Sequence, residues 1–591
     1  MIKTLSQNDK KLLKRTFGYI KNYKGIFILF IAASVLNIFL SIIYPLIWGE
    51  VLQYIAEGKY EKIYINIILI LVIYTIQTIS GSGKGYLNSL LNNRIISDLK
   101  SDMYRKILNI KMINFDNTRI GEFTSRLEGD VSTLSSIITN QLVSTVIDIL
   151  RVIILAFAIF KISYILASVV VVGFPFYYFI FQIFGRKLRK ESLELKKIND
   201  KYYSILYQSL FGIRYIKTYG IKQQIQHEYN EVNIELRDKN LKVSGISFLS
   251  QIISQLINEL DEILIIGLGI YFIYTHKIDI ALFVAFTSYS NQFSSSLTTL
   301  TSVNSTIQQA LVSLERIFQI LDDNLFKSED FGNIDMKSIN GDIEIRNITF
   351  GYKNDTNVIK NLSLILRENS ITVIVGKNGC GKSTLFSLIL KLYEPSEGEI
   401  LLDNINIKLL SEKAIRNSIS AVHQQAFLFN KSIKENFQLV CNDIEIEKIE
   451  EACKLVYMHE YIEGLEKKYD TIIKENANNL SGGQKQRIIL AMCIARNSPI
   501  ILLDEATAAI DMESHFLIEK SIKNIANKRN VIIIAHNIST MLLADNIVLM
   551  DDGKIVCQGS HHYLYDNNGA YRSFYENEIN KLEKGISSKE A

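Results

Sequence analysis

Apolar residues in the first half of the chain gather into runs of about 20 with few charges, the length a helix needs to cross a ~30 Å hydrocarbon layer. This pattern predicts six spans, at about 26–48, 63–83, 138–160, 164–185, 250–274 and 280–301. From about Ile339 onward the pattern changes to short apolar runs alternating with amphipathic stretches, as in a soluble α/β domain. The start, Met1 to Lys24, is basic and amphipathic, with Leu12, Leu13, Phe17 and Ile20 at roughly helical spacing. No small-residue cleavage site follows it, so it predicts a helix on the inner membrane surface rather than a signal peptide.

The charges between spans set the orientation. The segment before the first span and the two long loops, about 84–137 and 186–245, are rich in Lys and Arg. The connections after spans 1, 3 and 5 carry only Lys59, Lys62, Lys161 and Lys277 as such residues. Basic loops stay cytoplasmic, so both chain ends and the α/β domain are expected inside a multi-pass cell-membrane protein. Leu99–Ile110 and Leu195–Tyr219 keep helical apolar spacing, which extends the spans into the cytoplasm. The expected organisation is a transmembrane domain over 1–320, a connector over 321–338 and an α/β domain over 339–591.

Composition narrows this little. The 591 residues carry a formal net charge of +4, too small to imply a nucleic-acid partner. All five cysteines lie in the second half, without metal-ligand spacing, as expected of thiols kept reduced in a cytoplasm.

The strongest chemical signal is Gly376-Lys377-Asn378-Gly379-Cys380-Gly381-Lys382-Ser383-Thr384. It follows the apolar run Ile371–Val375, a strand, and precedes Leu385–Leu392, a helix. Glycines let successive N–H groups face one concavity, and the helix N-terminus adds its dipole. Lys382 then reaches the β- and γ-phosphates of ATP, and Ser383 suits Mg²⁺. A second apolar strand, Ile500–Leu503, ends in Asp504-Glu505. One acid can hold the metal through water; the next can orient or deprotonate the attacking water. Cys380, inside the phosphate loop, suggests that ATP binding is sensitive to oxidation.

Leu480-Ser481-Gly482-Gly483-Gln484, before Lys485-Gln486-Arg487, resembles the signature of ATP-binding cassette (ABC) proteins. The resemblance implies two cassettes sandwiching two ATP molecules, with Ser481 and Gly483 contacting nucleotide held by the partner's phosphate loop and Gln484 counted with the nucleotide-binding residues. Tyr352 in Phe350-Gly351-Tyr352 resembles the aromatic residue that stacks on adenine. Gln424 in Val422-His423-Gln424 matches the glutamine that touches Mg²⁺ and water, although His423 stands where the family often has proline. His536 in Ala535-His536-Asn537 resembles the switch histidine near the γ-phosphate, and Glu475 an acid facing the membrane domain. Asp511 closes Ala508-Ala509-Ile510-Asp511, where Ser-Ala-Leu-Asp is common.

The membrane half is similar to exporters of this family. Asn114-Phe115-Asp116, Gly121-Glu122, Ser125-Arg126-Leu127 and Asp130-Val131 match their first intracellular loop, and Gly212-Ile213-Arg214 with Lys217 the second. These loops are expected to dock on the cassettes and carry their motion. The implied fold is a membrane α-helical domain of six spans followed by an α/β P-loop cassette, working as a half-transporter and ATP hydrolase, most simply as a homodimer, with a heterodimer of two different half-transporters as the alternative.

Ionisable residues within spans mark candidate substrate contacts. Asp148 and Arg151 lie on one face of span 3, and span 5 holds Glu259, Asp261 and Glu262. Asp148 and Glu262 fall at similar depth, about 18–20 Å from the outer ends at 1.5 Å per residue. The expected substrate is amphipathic, either a cationic peptide such as a bacteriocin or a hydrophobic drug; a lipid flippase is the alternative. No peptidase domain is expected ahead of the first span. A role on DNA or in translation conflicts with six spans, and an importer with the exporter-type order of domains.

Overall fold

The computed structural model describes residues 7–118, 120–132, 143–322, 326–336, 339–352, 356–474, 477, 479–504, 512–535 and 537–587. Two compact units divide the chain: Met1–Ile110 with Asp116–Ser328, and Lys111–Phe115 with Glu329–Ala591.

The first unit is built of helices: α1 (Gln7–Lys21), α2 (Lys24–Ala56), α3 (Tyr60–Leu108), α4 (Val143–Ile162), α5 (Tyr164–Phe211), α6 (Lys222–Tyr274) and α7 (Ile280–Leu321). Short helical pieces occupy the loops between α3 and α4 and between α5 and α6. Helix α3 has 49 residues and α6 has 53. At 1.5 Å per residue each runs beyond ~70 Å, more than twice the hydrocarbon thickness, so each continues far outside a bilayer. The most apolar windows of α2 and α3 reach mean hydropathies of 2.8 and 2.0. Their outer faces leave Ile28, Phe39 and Leu71 more than half exposed, a surface suited to lipid rather than water. Residues 138–142 of the third expected span lie outside the described residues.

Without a hydrophobic drive between helices in lipid, close backbone approach holds them together. A Cβ on Gly49 of α2 would lie 2.3 Å from the Ala281 carbonyl oxygen of α7. One on Gly269 of α6 would lie 1.9 Å from the Phe283 ring.

Helix α1 packs on its own unit. Leu12 and Ile20 are buried. The Arg15 guanidinium donates to Asp322 Oδ2 (2.8 Å) and lies 4.1 Å from the Phe318 ring centroid. The Tyr19 and Tyr23 hydroxyls donate to Asp102 and Asp98 on α3, at 3.0 and 2.8 Å.

The helix expected through Leu195–Tyr219 breaks at Gly212, where α5 ends with the Gly212 N–H donating to Gln208 O (2.8 Å). A separate turn, Ile213–Thr218, follows, and the chain reverses at Gly220 with φ +68°. Glycine tolerates both the helix stop and the left-handed residue, which apolar periodicity alone does not reveal.

The first loop contains a π-helical turn, Ser125–Asp130, in which Asp130 and Arg126 are buried. Asp130 draws together three segments. Oδ1 accepts from Lys196 Nζ of α5 (3.2 Å) and from the Ser313 hydroxyl of α7 (3.0 Å), and Arg316 Nε of α7 lies 3.0 Å from Oδ2. Arg126 Nη1 donates to the Arg316 carbonyl oxygen (3.2 Å), and its side chain also pairs with Glu122. Further along the helical extensions, Lys239 and Lys242 donate to Glu191 and hold its carboxyl well below the usual range, at about 2.

The second unit is an α/β domain. Strands β1 (Ile343–Phe350), β2 (Ile359–Leu366), β4 (Glu397–Leu402) and β5 (Ile405–Asn406) form an antiparallel sheet ordered β2-β1-β4-β5. Strands β3 (Ile371–Gly376), β6 (Ile419–Val422), β7 (Ile500–Asp504), β8 (Asn530–Ile534), β9 (Asn546–Asp551) and β10 (Lys554–Gly559) form the order β10-β9-β3-β8-β7-β6. From β9 to β6 every pairing is parallel; β10 alone runs antiparallel. Every residue of β3 is buried, as in a parallel strand covered on both faces.

The segment after α7 joins this unit as a short strap. The Gly332 and Ile334 N–H groups donate to Leu410 O (2.9 Å) and Leu409 O (3.0 Å). The unit also includes Lys111–Phe115 from the first loop, where Lys111 pairs with Glu394 at 3.3 Å.

Candidate nucleotide site

The parallel strands end along one edge, where open α/β sheets bind ligands. Strand β3 runs into the glycine-rich loop, and helix α8 (Lys382–Ile389) leaves it. Gly376, Gly379 and Gly381 have φ of +152°, +81° and +104°. A Cβ on Gly376 would stand 2.2 Å from the Met550 carbonyl oxygen, so the loop closes only with glycine there. Lys382 is buried, and its ammonium donates to Gly376 O (2.8 Å) and Lys377 O (3.1 Å). Those bonds hold the cation within the loop at the head of α8. Asn378 and the N–H groups at Lys377 and Gly379 belong to the same exposed turn.

Ser383 is exposed, and its hydroxyl donates to Asp504 Oδ1 at the end of β7 (3.4 Å). A hydroxyl and a carboxylate side by side form an oxygen donor set that suits Mg²⁺, which keeps several ligands from water and phosphate. In register, Val422 of β6 faces Leu503, and Asp504 faces Ile534 of β8. Gln424, two residues past β6, therefore leaves the sheet at the same edge, with an exposed side chain. Glu505 and His536 lie outside the described residues, as do Glu475 and Asp511; their neighbours Asp504 and Ala535 stand at this edge.

Tyr352 is 41% exposed and its hydroxyl shares a hydrogen bond with Thr384 Oγ1 (3.1 Å). It meets Phe350 and Tyr393 edge-on, with centroids 5.1 and 5.2 Å apart. Tyr393 was not singled out from sequence; a tyrosine after an amphipathic helix carries no special signal.

Ser481 and Gln484 bond to each other rather than to the phosphate loop. Ser481 is the N-cap of helix α9 (Gly482–Ala495): its Oγ accepts from Gln484 N (3.2 Å), and Gln484 Oε1 accepts from Ser481 N (2.9 Å). This reciprocal capping box orients the hydroxyl, and the S-x-x-Q spacing is its sequence signal. Gly483 is buried behind it.

Cys380 departs from expectation. Its thiol is buried, and Sγ lies 2.9 Å from the point a Cβ on Gly376 would occupy. Burial raises the thiol pKa despite the opposing pull of Lys382, so the reactive thiolate is scarce near neutral pH. Peptide mass spectrometry after brief iodoacetamide treatment at pH 7 is expected to find the half-buried Cys557 alkylated before Cys380. Preferential loss of free Cys380 would restore the oxidation-sensitive view.

Comparison with known proteins agrees with this architecture. The family description "ABC transporter transmembrane region" matches residues 27–297, and "ABC transporter" matches residues 359–508. The chain belongs to the ABC transporter family. It is 27% identical over 572 residues to a putative multidrug export ATP-binding/permease protein, YgaD, of Bacillus subtilis (strain 168), covering 95% of this chain and 99% of that one. It is 29% identical over 510 residues to an ATP-dependent lipid A-core flippase of Syntrophus aciditrophicus (strain SB), covering 86% and 84%. A solved structure described as a bacterial Atm1-family ABC exporter with ATP bound shares the fold, with TM-score 0.82 at 22% identity, covering 94% of this chain and 98% of that one. This ABC exporter is therefore a membrane protein that binds nucleotide and couples ATP hydrolysis to transport.

The charged residues in the transporter's helices have separate surroundings. Arg151 Nη1 and Asp148 Oδ1 are 3.9 Å apart, an (i, i+3) pair. Glu262 accepts from Asn291 Nδ2 of α7 (3.2 Å). Asp261 lies against α5, its Oδ2 2.3 Å from the point a Cβ on Gly173 would occupy. Glu259 is exposed. Asn291 and Gly173 were missed because neither helix-face spacing nor charge within one span reveals a partner on another helix.

Proposed function

We propose that this chain is a homodimeric half-transporter that exports an amphipathic substrate, a cationic peptide or a hydrophobic drug, across the cytoplasmic membrane by alternating access. Six spans with both termini and the cassette on the cytoplasmic side belong to this reading. The observation that carries the energy-coupling part is the clustering of Lys382, Ser383 and Asp504 at one sheet edge.

The division of labour follows from that edge. Backbone N–H groups of residues 376–384 and the Lys382 ammonium bind the phosphates, and Tyr352 offers its exposed face to the base. Ser383, Asp504 and Gln424 would hold Mg²⁺, which supplies charge neutralisation at the phosphates. Glu505 orients the attacking water and accepts its proton, while His536 and Gln424 fix the terminal phosphate and the water. Ser481 and Gly483 close on the nucleotide of the partner cassette, so ATP favours the closed pair through contacts the open pair lacks. The carboxylates Asp148, Glu259, Asp261 and Glu262, with Arg151, border the cargo path; the Asp148–Arg151 pair leaves the span 5 acids as the negative side.

Lipid flipping is the second reading, favoured by the similarity to the lipid A-core flippase. ATPase activity of the chain reconstituted alone in nanodiscs, with Glu505→Gln as blank, separates the two. Stimulation by a cationic amphipathic peptide is expected. Stimulation by lipid A-type glycolipid but not peptide would support flipping, and activity no higher than the blank would overturn the self-sufficient homodimer.

A further inference from the structure

Among the described side chains of helix α1, one group packs within the chain and another is left exposed. Leu12 and Ile20 are buried, while Arg15 and Tyr19 reach Asp322 and Asp102. At 100° per residue, Lys11, Lys14 and Lys21 fall within an arc of about 80° on the opposite side, with Gly18 between them. All three are exposed, and among the described residues none of them makes an ion pair. Only Asn22 and Tyr23 separate α1 from α2, the span with mean hydropathy 2.8, and Lys24 opens that span exposed.

We propose that Lys11, Lys14 and Lys21 form a docking face for anionic phospholipid headgroups of the membrane into which α2 inserts. Two observations select this occupant. Three exposed ammonium groups on one face, with no ion-pair partner among the described residues, complement a negatively charged surface. Continuity with the apolar span keeps that face at headgroup level, where a lysine gains about fivefold in affinity for an anionic leaflet. Leu12 and Ile20 are buried within the helical unit, so these two apolar side chains are not available to lipid and the lysine face meets the membrane through charge. Gly18, between the lysines, carries no side chain, and a Cβ built there would meet nothing within 4 Å, so the backbone is open on that face.

The inference rests on the inward orientation of α1 in the proposed topology, but its test does not involve the transported substrate. The detergent-purified full-length chain is titrated with phosphatidylglycerol or phosphatidylcholine, and bound lipid is counted by native mass spectrometry. Phosphatidylglycerol is expected to bind preferentially. The preference should fall about tenfold or more in the triple variant Lys11→Gln/Lys14→Gln/Lys21→Gln, and survive in the triple arginine variant, which keeps the charge. Basal ATPase activity, retained in both, reports that they are folded. Equal binding of the two lipids, or an undiminished preference in the glutamine variant, overturns the proposal. So does displacement of phosphatidylglycerol by an equal concentration of inorganic phosphate, which would mark a simple phosphate site. Failure of peptide stimulation would count against the export reading and leave this result untouched.

Discussion

Lys382→Ala is expected to lower ATP hydrolysis by about a hundredfold or more, the usual loss when one group stabilising developing charge is removed. The side chain is buried and its ammonium sits 2.8 and 3.1 Å from two loop carbonyls. Removing it deletes the cation and leaves those carbonyls without their donor, so both charge and loop shape suffer. Lys382→Met keeps the bulk of the stem and separates the two effects. Phosphate release in nanodiscs is the measurement. Activity within about threefold of wild type in both variants would remove Lys382 from the phosphate-binding role, since a group worth less than ~1 kcal/mol is not carrying the charge.

Asp130→Ala is expected to destabilise the helical unit by about 3 kcal/mol, near the cost of breaking a buried ion pair. The carboxylate answers Lys196, Ser313 and Arg316 together, and its loss leaves Arg316 beside a cavity. Lys196→Gln should cost much less, because the Lys196 side chain is 39% exposed and water replaces its partner. Thermal unfolding of the detergent-solubilised chain, followed by fluorescence, compares the two. Equal, small shifts would show that Asp130 is an ordinary loop acid.

The phosphate loop was legible because its constraints are local. Strand, glycines with positive φ, lysine and helix follow one another within 20 residues, and each residue type answers a backbone need at its own position. The long helices of the first unit were legible in two parts, the apolar runs marking the spans and the helical spacing of Leu99–Ile110 marking the extension that carries α3 to Leu108. The Asp130 cluster was half legible. Asp130 was marked by its loop, but its partners lie on α5 and α7, and no local rule connects them. Ser481 was singled out for a role across a dimer, whereas its nearest task is to cap its own helix. Among the span residues, Asp148 and Arg151 paired as their spacing allows. Asp261 and Glu262 met neighbours on other helices, where only tertiary packing decides.

The five residues Lys111–Phe115 give the second unit a discontinuous chain. Its wall around Phe331, Phe350 and Tyr393 is completed by Lys111 and Ile113, residues that precede the body of the unit by more than 200 positions. A gene fragment starting at Glu329 would therefore encode a cassette with an open seam of apolar and charged side chains. Conversely, a protease nick between Asp322 and Glu329 would cut the chain without releasing the cassette from the loop that completes it. Modularity in this protein is a property of the folded object rather than of its gene.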